Sequence, residues 1–443
     1  MMVDLAVLVS GKVCARASDK GGSPRIFYDM DSEGVREGHS LSLSMPPQKE
    51  AYGGGVVVNW LRNLLPESKQ DLRAIAQDET GGLPVCSVNN PLRLLEKIGE
   101  DCAGAVQVVQ EDRIAKVREE GGIIPVSEDE VEKMIHDIRS GRSVAGRILD
   151  HNNGRFSLAG AQKKTALRRM PDGSWGIPYG KEPTTHIMKP PMPDMKGQVE
   201  AEHFCLTLCR GIGLSAAKSE VLQFGSEKVI CVERFDRWRD EKGDVHRLHV
   251  EDMCQALGID PARKYQSEGG PGTTEISGHV LSRSMNPDGD REAMMRAMVV
   301  NWVLMGTDAH AKNYSIFIHP LESLQSERKV SLAPLYDVNT FAPYEGASWS
   351  SNTMSMSVGG KYVFSKIHKR HWQIACQKAG FHPPTGYNEW LEQTVCSIRD
   401  VVRGVLGITL QEGLDPEWMA KISKLTRNRA EMILNDMFRS SST

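Results

Sequence analysis

The stretch Trp302-Val303-Leu304-Met305-Gly306-Thr307-Asp308-Ala309-His310-Ala311-Lys312-Asn313-Tyr314-Ser315-Ile316-Phe317 decides how the rest of the chain is read. It opens as the end of an apolar helix, stops at a glycine and hands over to a short polar loop. Residues 314–318 then alternate as a strand that fixes the loop from behind. Within the loop Asp308 and Asn313 stand in the order and spacing D-x-x-x-x-N, which phosphoryl-transfer sites use for a base and a metal-binding amide. The same six residues also fit a helix terminus followed by an Asx-type turn. Their meaning therefore depends on what the remaining sequence supplies.

The chain has 443 residues, 40% hydrophobic and 25% charged, enough for two or three cores. A formal net charge of −3 gives no chain-wide positive field toward nucleic acid or anionic membrane, so any such contact must be a local patch. The nine cysteines are scattered, without a CxxC pair, which predicts reduced, buried thiols and a cytoplasmic location. Cys205 and Cys209, four apart on a predicted helix, lack the further ligands of a metal site and read as core. The first residues lack the pattern of a secretory leader. The longest apolar run, residues 293–305, is shorter than a bilayer requires and contains Arg296 and Asn301. The expectation is a soluble intracellular protein with no membrane partner.

Taken in order, residues 1–130 read as an α+β unit with strands at 5–10, 25–28 and 41–45 and helices around 60–67 and 91–97, the last with Pro91 at its first position. Gly53-Gly54-Gly55 lacks a following Gly-Lys-Ser/Thr and reads as a turn rather than a phosphate cradle. A helical stretch follows over 127–148, opened by a Ser127/Glu130 capping box. Residues 156–167 read as strand, small-residue loop and strand, a shape that lets backbone amides approach phosphate and that also fits a plain hairpin. Pro171-Asp172-Gly173 is a turn, and residues 184–189 form a strand ending in Lys189 before Pro190-Pro191. Residues 198–211 form an amphipathic helix whose Glu200 and Glu202 could each pair with Lys189; Glu202 is the expected partner. The apolar strand 229–237 turns charged at Glu233 and suits a hinge whose backbone edge meets a purine. Beyond Glu251 helices dominate, at 251–257, 291–305, 372–378, 391–407 and 416–437. Between them, residues 332–339 read as an apolar strand ending in Asp337.

The small-residue loop, strand lysine, D-x-x-x-x-N loop and later aspartate fall in the order of a protein kinase. The predicted fold class is α+β, a kinase-like two-lobe fold with a β-rich N-terminal lobe and a mainly helical C-terminal lobe. Three parts are expected: 1–130, an N-terminal α+β subdomain; 131–240, the remainder of the N-lobe with the ATP loop and hinge; and 241–443, the helical lobe. Phosphoryl transfer asks the protein for positioning and charge neutralisation. In that role Lys189 meets the α/β-phosphates, Asn313 and Asp337 hold Mg²⁺ through hard oxygens, and Asp308 accepts the substrate's hydroxyl proton.

The sequence at this point closely resembles the HipA family of serine/threonine-protein kinases, the toxins of HipA/HipB toxin–antitoxin modules. The resemblance spans nearly the whole chain. It is carried by Asn63-Leu64-Leu65-Pro66-Glu67, Ile98-Gly99-Glu100-Asp101-Cys102, Ala159-Gly160-Ala161-Gln162, Thr184-Thr185-His186-Ile187-Met188-Lys189, Val232-Glu233-Arg234-Phe235-Asp236-Arg237, Glu251-Asp252-Met253-Cys254-Gln255, Thr307-Asp308-Ala309-His310-Ala311-Lys312-Asn313 and Tyr336-Asp337. The resemblance implies an ATP- and Mg²⁺-dependent kinase, a small helix-turn-helix antitoxin of the HipB type and operator DNA bound through the complex, with transcription repression and persistence as its setting. It further implies a translation-related target, glutamyl-tRNA synthetase in the best-known members. By the same resemblance Ala159, Gly160, Ala161, Gln162, Lys163 and Lys164 bind ATP, Lys189 contacts its phosphates and Glu233 and Phe235 border the adenine. His310 and Tyr336 line the nucleotide site, with Asn313 and Asp337 at the metal and Asp308 as base. Ser157 takes the position of an inhibitory autophosphorylation site. Two residues depart from the family pattern: Lys163 stands where Glu is usual, and Ala201 replaces a polar residue. A small-molecule kinase and a non-catalytic co-repressor subunit are the competing readings, the second requiring loss of the lysine, base or metal aspartate, none of which is lost.

Overall fold

Strict alternation along Asp4–Val9 (β1) puts Leu5, Val7 and Val9 on one face of a sheet and Ala6 and Leu8 on the other, and both faces are covered. The computed structural model describes residues 4–20, 22–77, 86–141, 157–160, 162–321 and 329–439. Two compact units emerge: Met1–Pro190 with Leu222–Ala262 and Ile316–Lys329, and Pro191–Val221 with Arg263–Ser315 and Val330–Thr443.

In the first unit β1 pairs antiparallel with Lys12–Ser18 (β2) through a two-residue turn in which both Ser10 and Gly11 have positive φ. That backbone matches the twist of a hairpin. Arg25–Tyr28 (β3) and Val106–Val109 (β4) complete a sheet of order β3-β2-β1-β4. Its main core lies against helices Gly55–Asn63 (α1), Lys69–Ala76 (α2) and Pro91–Ile98 (α3), with Trp60, Leu61, Leu92 and Leu95 fully buried. The predicted Pro91 start is present, with Asn90 capping Arg93 N. Residues 41–45, predicted as a strand, are not one. The Tyr28 hydroxyl accepts from Leu41 N and donates to Met45 O, and Leu43 N goes to Glu251, so side chains take the backbone groups that a ladder would use.

A second sheet runs β5-β7-β6-β8-β10-β9, from Gly121–Val126 (β5), Thr165–Arg169 (β6), Trp175–Gly180 (β7), His186–Lys189 (β8), Ser219–Phe224 (β9, which enters this unit at Leu222) and Glu227–Glu233 (β10). Helix Glu128–Arg139 (α4) carries the predicted capping box and packs Val131 and Ile135 onto Leu167, Ile177, Met188 and Val229. The predicted continuation to residue 148 lies beyond residue 141, outside the described residues.

The second unit is mainly helical. Gln198–Gly211 (α5) matches its predicted bounds. Pro287–Leu304 (α6) starts earlier than predicted because Asn286 caps it and Pro287 fits its first turn. From Met294 onward α6 is buried at every position except Arg296, whose guanidinium donates to Ile212 O, and Asn301 is the other polar residue in an otherwise apolar run. Those neighbours include Lys369–Lys378 (α7), Tyr387–Gln411 (α8) and Pro416–Leu434 (α9); α8 lies along α9 and touches α5, α6 and α7. Trp302 sits between the rings of Trp349 and Trp372 and donates its indole N–H to Phe364 O. Residues 251–257, predicted as one helix, divide into a strand, Val250–Asp252, and a short helix, Met253–Ala256, belonging to the first unit. All nine cysteines are free thiols and seven are buried. Among the described residues no helix is long and apolar enough to cross a membrane.

Candidate active site

The D-x-x-x-x-N loop begins where α6 ends. Met305 takes the left-handed conformation at φ 54°, and Gly306 N donates to Asn301 O over 2.7 Å. A Cβ at Gly306 would lie 2.3 Å from Asn301 Oδ1, so a side chain there would have to displace the buried Asn301 amide that bonds Ala297 O and the Tyr314 hydroxyl. Thr340 Oγ1 bonds Leu304 O, and Ser355 Oγ bonds Thr307 O at 2.6 Å, holding both sides of the turn. Ala311–Asn313 forms one 3₁₀ turn, followed by the predicted strand, observed as Ser315–Ile318.

This geometry fixes Asp308 and Asn313 relative to each other. Asn313 Nδ2 donates to the backbone carbonyl of Asp308 at 2.6 Å, which leaves the amide oxygen as the donor that Asn313 can offer a cation. The Asp308 carboxylate is 66% exposed, accepts from the Tyr265 hydroxyl and has His310 Nε2 at 3.8 Å. Tyr265 also stands edge-on to the His310 ring, 4.9 Å between centroids. Nothing local in the sequence points to Tyr265, which lies 43 positions before Asp308.

Asp337 belongs to the same unit but not to a strand end. The strand stops at Val330–Leu332, Pro334 has no N–H for a ladder, and only an isolated bridge between Leu335 and Ala216 follows. Asp337 has φ 54°, one of three non-glycine residues in that region among those described. Such backbone strain persists only where the surroundings over-determine it. The preceding residue supplies one constraint: Tyr336 donates its hydroxyl to Lys312 O at 2.7 Å and bonds Ser315 Oγ at 2.6 Å. The residues before Asp337 and before Asn313 are thereby tied together. Among the described residues no cluster of three or more His, Cys, Asp or Glu could hold a metal. A Mg²⁺ site takes few protein ligands and hard oxygens, the kind of donor that an Asn313 amide oxygen and an Asp337 carboxylate could offer.

The phosphate-loop candidates and Lys189 lie in the first unit. Ser157 is fully buried and outside any strand, contrary to the strand predicted there; its N–H donates to Asp101 O at 2.9 Å and its hydroxyl to Leu64 O. Those long-range bonds replace a ladder. Leu158 packs with Ala166 and Ile187, seating the loop on the sheet. Gly160 has φ 106°, and a Cβ there would approach Lys164 Nζ to 2.8 Å. Lys164 Nζ donates to Ala159 O at 2.8 Å, and Gln162 Nε2 to Pro190 O at 3.2 Å, next to Lys189. Lys163 is paired with Asp71. Ala161 lies outside the described residues. Lys189 ends β8 opposite Ile230 and is buried. Glu233 is exposed at the end of β10, and Phe235 stands edge-on to Phe317 at 6.0 Å. Glu200 and Glu202 are buried on α5, in the second unit.

Arg234, next to the exposed Glu233, is 4% exposed within a buried network. Its guanidinium meets Asp236 at 2.7 Å and the Thr184 hydroxyl at 2.9 Å, while Arg237 and Arg247 reach Asp101, each at 2.9 Å. Burial alone would raise the Asp101 carboxyl, but Arg237, Arg247 and Arg234, together with the Thr184 hydroxyl, hold it well below the usual carboxylate range. The network fixes the segment after Glu233.

Comparison with known proteins bears on the whole of this arrangement. The family described as HipA N-terminal domain matches residues 5–109, and that described as HipA-like C-terminal domain matches residues 156–402. A Sinorhizobium fredii protein named "Putative kinase Y4mE" is 31% identical over 398 residues, 89% of each chain. The "Serine/threonine-protein kinase toxin HipA" of Shewanella oneidensis is 30% identical over 333 residues, 72% of this chain and 70% of its own. A solved Shewanella oneidensis complex of HipA, HipB and operator DNA contains a chain that superposes with a TM-score of 0.77 at 23% identity, covering 99% of this chain and 100% of that one. Family matches at both ends, a relative aligned over most of the length and a shared fold agree: the chain belongs to the HipA family, with the α+β fold of that family.

Proposed function

We propose that this chain is a Mg·ATP-dependent serine/threonine-protein kinase that arrests growth as the toxin of a toxin–antitoxin pair. The observation that carries the reading is the Asn313 amide bonded to the Asp308 carbonyl, with Tyr336 bonded to the Lys312 carbonyl. One short loop thereby holds a base and an amide oxygen beside the residue leading to Asp337. Asp308 orients the attacking hydroxyl and accepts its proton, and its exposure suits a macromolecular substrate. Tyr265 and His310 set the rotamer of that carboxylate. Lys189 contacts the α/β-phosphates. Ala159, Gly160, Ala161, Gln162 and Lys164 form the cradle, Glu233 and Phe235 border the adenine, and Asn313 and Asp337 hold the metal. Mg²⁺, when bound, supplies neutralisation of phosphate charge.

The substrate is a translation-related protein, of which glutamyl-tRNA synthetase is the first to test. The partner is a HipB-like helix-turn-helix antitoxin, through which operator DNA is bound in the cytoplasm. The Shewanella complex, which holds those three components, supports this part of the reading. Asp308→Ala and Asp337→Ala should each lower phosphate transfer by on the order of 10²-fold or more. Both should leave the melting temperature near that of the wild type, because neither side chain belongs to an apolar core. Wild-type turnover in either variant would refute the assignment. Expressed alone, the wild type should arrest growth and Asp308→Ala should not.

A further inference from the structure

Lys163 adds a cation to the loop where a grip on phosphate would be expected. Its ammonium instead lies 2.6 Å from Asp71 Oδ1, with side-chain exposures of 26% and 6%. Asp71 is set by its own helix: it stands in the first turn of α2, where Ser68 Oγ accepts from its N–H at 3.3 Å. An acid there is also favoured by the helix dipole. Two other ties join the same two stretches: Ser157 Oγ to Leu64 O, and the parallel bridge between Pro66 and Gly160, within which Glu67 N donates to Gly160 O at 3.2 Å. Each of those uses backbone atoms on at least one side. The ion pair is made by two side chains, so it can be cut without touching the backbone. To serve a phosphate, Lys163 would have to leave behind a nearly buried carboxylate, which is costly.

We propose that Asp71 and Lys163 form a tether by which residues 64–71 hold the nucleotide loop in its binding shape. Lys163 is then a positioning residue rather than a phosphate ligand, and the N-terminal subdomain is part of the loop's support. The inference rests on the nucleotide-loop reading given above. Asp71→Asn, Lys163→Gln and the double variant, each verified as folded by its melting curve, are compared with the wild type. Amide hydrogen exchange over residues 157–164 is followed without nucleotide, and Mg·ATP affinity by calorimetry. Both single variants should speed exchange in the loop and weaken ATP binding by roughly three- to tenfold, and the double variant should be no worse than either single one. Lys163→Arg should behave as wild type. If Lys163→Gln weakens ATP binding while Asp71→Asn leaves it unchanged or tightens it, or if the two effects add, Lys163 acts on phosphate and the tether is refuted. Unchanged exchange in Asp71→Asn also refutes it. A wild type that binds no Mg·ATP refutes the nucleotide-loop reading instead, and the exchange measurements still decide whether the tether exists.

Discussion

Glu251 should make the stability of the first unit fall as pH rises through the weakly acidic range. It is fully buried beneath residues 42–43 and α1, where Oε2 accepts from Leu43 N at 2.9 Å and Oε1 from Trp60 Nε1 at 3.2 Å. Burial is the largest influence on the carboxyl, and neighbouring Asp252 pushes the same way. Donors from Ser42, Leu43 and Trp60 oppose them but do not win, and the group is pushed up to about 7 from an ordinary 4.5. The folded protein therefore keeps a proton that the unfolded chain releases between those values. The stabilisation is complete below pH 4.5, declines as pH rises toward 7 and is gone above it. At about 1.4 kcal/mol for each tenfold in proton affinity, the loss is on the order of 3 kcal/mol. Glu251→Gln cannot titrate, but it offers an N–H₂ where one of two donors needs an acceptor, costing about 1–3 kcal/mol at every pH. The variant should be the less stable protein near pH 4.5 and should gain on the wild type steadily up to pH 7.5. Scanning calorimetry or urea unfolding at half-unit pH steps, on both proteins at one salt concentration, reads this directly. Parallel stability curves across that range would refute the reasoning, since they would mean that Glu251 is ionised in the folded state.

Three further outcomes follow from the same structure. Asp101→Ala should destabilise the first unit by about 3–5 kcal/mol, because it leaves Arg234, Arg237 and Arg247 buried with one fewer carboxylate; a loss under 1 kcal/mol in denaturant titration would show that water or rearrangement takes its place. Incubation with Mg·ATP should place phosphate on Ser157, detectable by mass spectrometry, and an Asp308→Ala copy mixed with active enzyme should be labelled in trans. Because Ser157 is fully buried with its hydroxyl on Leu64 O, a dianionic phosphate there must expel the loop from that seat and abolish ATP binding; phosphorylated protein that still turns over would sink the switch. The run Lys366-Ile367-His368-Lys369-Arg370-His371 is dense in basic side chains, and if the proposed toxin–antitoxin complex meets operator phosphates through it, neutralising Lys366, Lys369 and Arg370 together should flatten the salt dependence of operator binding; an unchanged slope would rule the run out of that contact.

What sequence alone determined here was local. The Ser127/Glu130 capping box, Pro91 and Gly306 are short-range signals, and the helix starts and the helix end they mark stand where they were expected because capping acts over a few residues, whereas periodicity alone left the bounds at 60–67, 251–257 and 291–305 to be moved. The order of loop, lysine, D-x-x-x-x-N and aspartate was legible for the same reason: a motif is a spacing. Tertiary structure decided everything that depends on partners far along the chain. Residues 41–45 alternate like a strand, yet Tyr28 and Glu251 claim their backbone groups. Arg234 adjoins an exposed glutamate in sequence, yet Asp101 and Asp236 draw it inside. Lys163 reads as a phosphate ligand, yet its ammonium faces an aspartate 92 positions earlier, and Asp308 receives the hydroxyl of a tyrosine 43 positions earlier. A buried polar group must find a partner somewhere, and which one it finds is set by the packing that closes the long loops between them.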